Sequence, residues 1–141
     1  MLFRSGGATT GDQNTLNGAF SGLPGLEQQI NNFVVSHSPM ADPDALYTIW
    51  AGANDYLPTN SPTFVPFATP DITLNNLKMA VNNLANIGAR KFAILNLPNL
   101  GEIPKTRASL DGICPPGQQF DADCLSELTA AHNTEIGRAH V

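Results

Sequence analysis

Two short, almost continuously apolar segments constrain what this chain can fold into. They cover residues 46–51 and 92–97, and between them residues 72–87 carry apolar side chains at helical spacing. A strand that is apolar at nearly every position is typical of a parallel sheet with helices on both faces. Gly88 directly after the helical stretch suits the position that ends a helix. The pattern predicts a β–loop–α–β unit with a right-handed crossover between parallel strands.

The remaining helical patterns complete a coarse fold prediction. Apolar residues at helical spacing predict one helix near residues 26–34 and a last helix over residues 124–133. Strands that alternate with helices favour the α/β class. We therefore expect a three-layer α/β/α sandwich with a parallel sheet, of the flavodoxin-like kind. The first strand and the C-terminal elements of such a sandwich are missing from the pattern, so the predicted fold is incomplete.

The tetrapeptide Gly52-Ala53-Asn54-Asp55 follows the first predicted strand directly. Open α/β folds place their active sites at the carboxyl edge of the sheet, and this motif would lie there. An asparagine amide at that edge can donate a hydrogen bond to an oxyanion, and Gly52 allows the backbone to turn sharply as it leaves the strand. The alternative is an Asx-type turn that merely caps the strand.

Two further segments give this motif a context. Gly6-Gly7-Ala8-Thr9 stands near the start, and the second predicted strand ends in Asn96-Leu97-Pro98-Asn99-Leu100-Gly101. Together the three segments resemble the GDSL esterase/lipases of the SGNH hydrolase superfamily, and the similarity runs from Gly6 to about Asn133. In that family four sequence blocks supply a Ser nucleophile, a Gly, an Asn and a His.

The resemblance implies a role for three residues of this chain. The backbone N–H of Gly7 and the side chain of Asn54 would donate to the oxyanion. Asp55 accompanies the Asn in the family, and we expect its carboxylate to bind backbone N–H groups of the turn that aims Asn54. The implied reaction needs no metal and no organic cofactor.

The nucleophile and the general base of the family have no counterpart here. The only Gly-Asp pair is Gly11-Asp12, and Gln13 follows it instead of Ser. The family base lies in Asp-x-x-His, and none of the three histidines has an Asp three residues before it. We therefore expect an inactive internal fragment of a serine-dependent hydrolase that acts on carboxylic esters or lipids. The alternative is a non-catalytic α/β carbohydrate-binding module in which Asn54 and Asp55 contact ligand hydroxyls.

Both ends of the chain read like translated sequencing adapters. Residues 136–141 match what a common short-read adapter encodes, and residues 2–5 resemble the matching adapter from the other side. Such segments are left out of fold reasoning, as tags and fusion scars are. The prediction is a partial hydrolase domain over residues 6–134, with adapter-derived ends at residues 1–5 and 135–141.

The net charge limits the classes of binding partner, and the cysteines bear on the cellular compartment. A net charge of -5 with seven Lys and Arg argues against nucleic acid and anionic membrane surfaces as partners, which leaves a small ester or lipid as the expected partner. The apolar runs are too short for a membrane-spanning helix. Cys114 and Cys124 could close a small disulfide or remain free thiols. The resemblance favours the disulfide and a secreted, periplasmic or extracellular protein.

Three remaining features carry expectations about the site. His132 falls on the apolar face of the last predicted helix, so we expect a packed, hydrogen-bonded structural histidine rather than a catalytic base. Asn133, its neighbour, is expected to lie away from the carboxyl edge. The long loop over residues 56–71 either lines an acyl-binding cleft with Phe64, Val65 and Phe67 or packs these residues onto the domain.

Overall fold

The computed structural model describes residues 2–3, 6–17, 22–38, 40–59, 61, 64–107 and 122–138. Strands and helices alternate along these ranges, as the apolar patterns predict. In chain order the elements are β1 (Leu2–Phe3), α1 (Leu26–His37), β2 (Leu46–Ile49), α2 (Ala53–Tyr56), α3 (Asp71–Asn86), β3 (Lys91–Ile94), a 3₁₀ turn (Leu100–Glu102), α4 (Pro104–Arg107) and α5 (Ala122–Arg138).

The three strands form one parallel sheet in the order β1-β2-β3. The predicted pairing of two parallel strands is confirmed, with Thr48 opposite Ala93. Both strands end earlier than predicted, at Ile49 and Ile94. A bond from the Leu95 N–H to the Ile49 carbonyl, at 3.0 Å, follows the last pair. β1 lies in a stretch that the sequence interpretation assigned to an adapter-derived end. The origin of that end, and the limits of the domain, stay predictions.

The side chains of β2 alternate between buried and exposed. Tyr47 and Ile49 are 2% and 0% exposed, whereas Leu46 and Trp50 are 53% and 44% exposed. Among the described residues no helix covers Leu46 and Trp50, so the second helix layer of the predicted sandwich stays a prediction. Side chains of α1 and α3 pack with the buried face and form the main core: Leu26, Ile30, Phe33, Leu77, Ala80 and Leu84.

The helix predictions are confirmed, with different limits. α3 starts and ends one residue before the predicted stretch, and Gly88 after it has a φ of +115°. The Ala89 N–H bonds back to the Leu84 carbonyl at 3.1 Å, which closes the helix end. α5 extends beyond the prediction at both ends. Within the described ranges, no helix combines the length and the apolar character that crossing a membrane requires.

A second core lies where β2 and β3 leave the sheet. It joins Leu125 and Leu128 of α5 to Tyr56 of α2 and to Leu97 and Leu100, which follow β3. This cluster brings α5 against the exits of both strands. The carboxyl edge of the sheet is therefore held between α5, α2 and the loop that carries Gly7.

Candidate active site

The loop that carries Gly7 is folded back on itself by side-chain bonds to its backbone. Asn14 is 1% exposed; its Nδ2 donates to the Gly6 carbonyl at 2.9 Å, and its Oδ1 accepts from the Leu16 N–H at 2.9 Å. The Thr15 N–H donates to the Gly7 carbonyl at 2.7 Å. Asn14 belongs to none of the motifs found in the sequence. The path of the loop brings its partners to it, and a local sequence pattern does not show that path.

Gly7 occupies a position that only glycine fits. Its φ is +71°, and a Cβ there would lie 2.5 Å from Asn14 Oδ1 and 2.6 Å from a Leu16 side-chain carbon. Among the described residues, no acceptor for the Gly7 N–H is found. That N–H, which the sequence resemblance assigns to the oxyanion hole, is thus uncommitted.

Asn54 lies against this loop, as the predicted meeting of the two blocks requires. Gly52 has a φ of +123°, and α2 begins directly after it. Asn54 Nδ2 then donates to the Ala8 carbonyl at 2.9 Å. A side-chain amide has two N–H groups, so one of them holds the Asn54 side chain beside the Gly7 loop. The second has no acceptor among the described residues.

Asp55 does not bind the partners that we expected. Its buried carboxylate accepts from the Thr10 N–H at 2.8 Å, from the Thr10 hydroxyl and from the Thr73 hydroxyl at 2.7 Å. Two N–H groups of its own turn are already bonded to turn carbonyls, Asp55 N–H to Gly52 at 3.0 Å and Leu57 N–H to Ala53 at 3.1 Å. Asp55 therefore links the Gly7 loop to α3. Burial raises the pKa of its carboxyl group, against the lowering effect of the Thr10 and Thr73 bonds.

A small cleft of about 120 Å³ opens beside Asn54. Four segments meet around it: the Gly7 loop, the start of α1 and the exits of β2 and β3. Among the described residues, no serine or histidine lines it. The lining residues are Ala8, Leu26, Gln29, Trp50, Ala51, Gly52, Ala53, Asn54, Leu97 and Pro98.

The apolar residues of the long loop do not line this cleft. Phe64 is buried and meets the ring of Phe67 edge-on at 5.4 Å, while Val65 is 77% exposed. Phe67 packs against the second core, and its N–H donates to the Asp55 carbonyl at 2.7 Å. Of the two expectations, packing of the loop onto the domain is the one that the contacts of Phe64 and Phe67 support.

His132 is a packed, hydrogen-bonded histidine, as predicted. It is 0% exposed, and its Nδ1 lies 2.9 Å from the Tyr56 hydroxyl. Burial lowers the pKa of His132 to about 4. Its Nε2 is buried and has no partner among the described residues. With this pKa the buried imidazole is neutral near pH 7.

Asn133 contradicts the expectation that it lies away from the carboxyl edge. Its Oδ1 accepts from the Leu97 N–H at 2.8 Å, and its Nδ2 donates to the Leu97 carbonyl at 2.9 Å. The expectation failed because the second core draws α5 against the strand exits, which helical spacing alone does not show.

The predicted pairing of the two cysteines lies partly outside the described residues. Cys124 is disulfide-bonded, but Cys114 lies outside the described ranges, so their pairing stays a prediction. Nowhere in the described part of the chain do three His, Cys, Asp or Glu side chains gather as metal ligands would.

The family of the chain follows from comparison with known proteins. The model of a family described as GDSL-like Lipase/Acylhydrolase matches residues 2–140. The chain belongs to this family. Membership of this family does not favour the carbohydrate-binding alternative.

Curated relatives agree with the family. GDSL esterase/lipase 5 of Arabidopsis thaliana is 34% identical over 112 residues, which cover 74% of this chain and 27% of the relative. A GDSL lipase of Tanacetum cinerariifolium is 32% identical over 98 residues, covering 67% of this chain and 24% of the relative. A phosphatidylcholine-sterol acyltransferase of Aeromonas hydrophila is 27% identical over 134 residues, covering 91% and 34%. The chain thus spans about a quarter to a third of the length of these relatives.

Proposed function

We propose that these 141 residues are part of a serine-dependent hydrolase that acts on carboxylic esters or lipids. The observation that carries the proposal is the bond from Asn54 Nδ2 to the Ala8 carbonyl at 2.9 Å. It ties the Asn block of a GDSL protein to its Gly block, beside a cleft at the carboxyl edge. Gly7 N–H and Asn54 would then act as two donors of an oxyanion hole.

In the proposed mechanism the nucleophile and base come from outside these residues. A serine attacks the ester carbonyl, a histidine accepts the serine proton, and an aspartate orients the imidazole. The negative charge that develops on the carbonyl oxygen is held by the serine N–H, the Gly7 N–H and the Asn54 amide. The histidine then returns the proton to the leaving alcohol, and water hydrolyses the acyl-enzyme.

The finer fold and the location are part of the same proposal. The exposed face of β2, with Leu46 and Trp50, supports a further layer that would complete the α/β/α sandwich. The disulfide-bonded state of Cys124 supports a secreted protein, in a periplasmic or extracellular setting. The proposed substrate is a small ester or lipid.

The decisive experiment replaces Asn54 by Ala in the longer protein that carries a Gly-Asp-Ser segment ahead of Gly6. Loss of one oxyanion donor lowers kcat by about 10²–10³. KM changes little, because the bond strengthens mainly in the transition state. Asn54→Asp is at least as damaging, since a carboxylate repels the oxyanion. Near-normal kcat in a well-folded Asn54→Ala enzyme would refute the assignment.

Two simpler observations accompany it. The 141-residue chain itself is expected to hydrolyse no p-nitrophenyl ester above background, and turnover that survives removal of host esterases would contradict the missing nucleophile. The second observation is the coding sequence upstream of Gly6. A Gly-Asp-Ser segment there supports the hydrolase, and a strand without that serine supports the binding module.

A further inference from the structure

Two neighbouring residues of α5 contact the exits of two different strands. His132 Nδ1 lies 2.9 Å from the hydroxyl of Tyr56, which closes α2 after β2. Asn133 bonds to both backbone groups of Leu97, which follows β3. One turn of helix therefore fixes the two loops that bound the cleft beside Asn54.

The contacts of His132 enclose the segment that carries Asn54. Its ring meets the Tyr56 ring edge-on, with centroids 5.7 Å apart and planes at 79°. On the other side of the segment, a Cβ built on Gly52 would lie 3.1 Å from His132 Cε1. His132 thus lies close to the residue two positions before Asn54 and contacts the residue two positions after it.

The contacts of Asn133 fix the opposite wall. Leu97 is 4% exposed and lines the cleft with Asn54. Its backbone has left the β3 ladder, so its N–H and carbonyl need partners from elsewhere. Asn133 supplies both, at 2.8 and 2.9 Å. The Leu97 side chain would lie 3.5 Å from a Cβ built on Gly52, so the two walls lie close together on this side of the cleft.

We infer that His132 and Asn133 are positioning residues, which set the place of the Asn54 amide by holding the exits of β2 and β3 on one helix. The inference rests on the proposed function for its catalytic meaning. A donor displaced by about 1 Å can cost on the order of 10²-fold in rate. The contacts themselves exist whether or not the protein is a hydrolase.

The first test reads the position of Asn54 without any activity. The 141-residue chain, labelled with ¹⁵N, shows the Asn54 side-chain amide in NMR spectra, assigned by its loss in Asn54→Ala. Asn133→Ala and Tyr56→Phe are expected to shift that signal. The second variant removes only the hydroxyl that contacts His132, so it preserves packing and gives a result if Asn133→Ala fails to fold.

Two control variants on α5 separate positioning from general stability. Thr134→Ala changes an exposed side chain that bonds only to its own helix, at the Ala130 carbonyl. Ile136→Val trims a buried residue that belongs to the main core and not to the second core at the strand exits. Neither is expected to move the Asn54 signal. An Asn54 amide that stays unmoved in both Asn133→Ala and Tyr56→Phe would overturn the inference, as would an equal shift in Ile136→Val.

The second test uses kcat and KM of the longer protein. Asn133→Ala is expected to lower kcat at least tenfold with little change in KM, and Asn133→Gln, which keeps both polar groups, to restore part of the loss. If Asn54→Ala lowers kcat but Asn133→Ala does not, the positioning role fails and the proposed function stands. If Asn133→Ala moves the amide signal while Asn54→Ala leaves kcat normal, the positioning contact stands and the proposed function fails.

Discussion

The buried histidine predicts a specific loss of stability in mild acid. His132 is 0% exposed, and burial lowers its pKa from 6.5 to about 4. Between these values the unfolded chain binds a proton that the native chain does not bind. The free energy of unfolding therefore falls as the pH drops below 6.5, and the loss is complete near pH 4.

The size of the loss follows from the two pKa values. Each pKa unit corresponds to about 1.4 kcal/mol, so the full effect is about 3 kcal/mol. By about pH 5, roughly 2 kcal/mol of this is lost. Asp55 acts in the opposite direction, because its raised pKa lets the native state take up a proton first on acidification. The two effects must be separated by a variant.

His132→Phe is that variant. It keeps an aromatic side chain against Tyr56 but cannot titrate, and Asp55 is common to both proteins. Urea unfolding of the chain and of His132→Phe is measured at about pH 7.5 and about pH 5. The variant is expected to lose about 2 kcal/mol less than the unsubstituted chain over this interval. Parallel losses in the two proteins would refute a buried, neutral His132, and so would an imidazole signal in NMR that titrates near 6.5.

Three further predictions concern the stability of the folded chain. Asp55→Ala leaves the buried Thr10 N–H without its acceptor and is expected to lower the free energy of unfolding in urea by about 1–3 kcal/mol. Gly52→Ala forces a side chain to a φ of +123° near His132 and costs about 1–3 kcal/mol; Gly137→Ala, with open space around it, is neutral or gains up to about 1 kcal/mol. Cys124→Ser removes a disulfide and costs about 2–4 kcal/mol; dithiothreitol should reproduce the loss in the unsubstituted chain and have no effect on the variant.

The parts of the fold that the sequence predicts are those governed by local pattern. Apolar runs locate β2 and β3, and helical spacing with Gly88 locates α3 almost to the residue. Gly52 marks the sharp exit of β2, where its φ is +123°. The strand and helix predictions depend on residues that are close together in the sequence. The resemblance, in contrast, implies that Asn54 meets the Gly7 loop, since both would donate to one oxyanion.

The parts that the sequence does not predict depend on contacts between distant residues. The Asp55 carboxylate reaches Thr10, which is 45 positions away, and Asn133 reaches Leu97, which is 36 positions away. Polar residues in these places have no periodicity that marks them. Continuous apolarity in β2 was also a poor guide, since Leu46 remains 53% exposed within the described structure. Which face of a strand is covered depends on where helices pack.

The candidate site is held by side chains because regular structure ends before it. β2 and β3 are four residues long, and the loops at their carboxyl edge have no ladder to satisfy their backbone groups. Buried N–H and carbonyl groups need partners. Asn14 and Asp55 supply them in the Gly7 loop, and Asn133 supplies them in the loop after β3. Burying a carboxylate costs free energy because its charge loses contact with water. In return, the two oxygens of Asp55 accept three hydrogen bonds at once, from the Gly7 loop and from α3. Burial accordingly raises the pKa of Asp55. Fixing the Gly7 loop and α3 beside Asn54 thus requires a buried carboxylate, as the preorganised donors of the proposed oxyanion hole would.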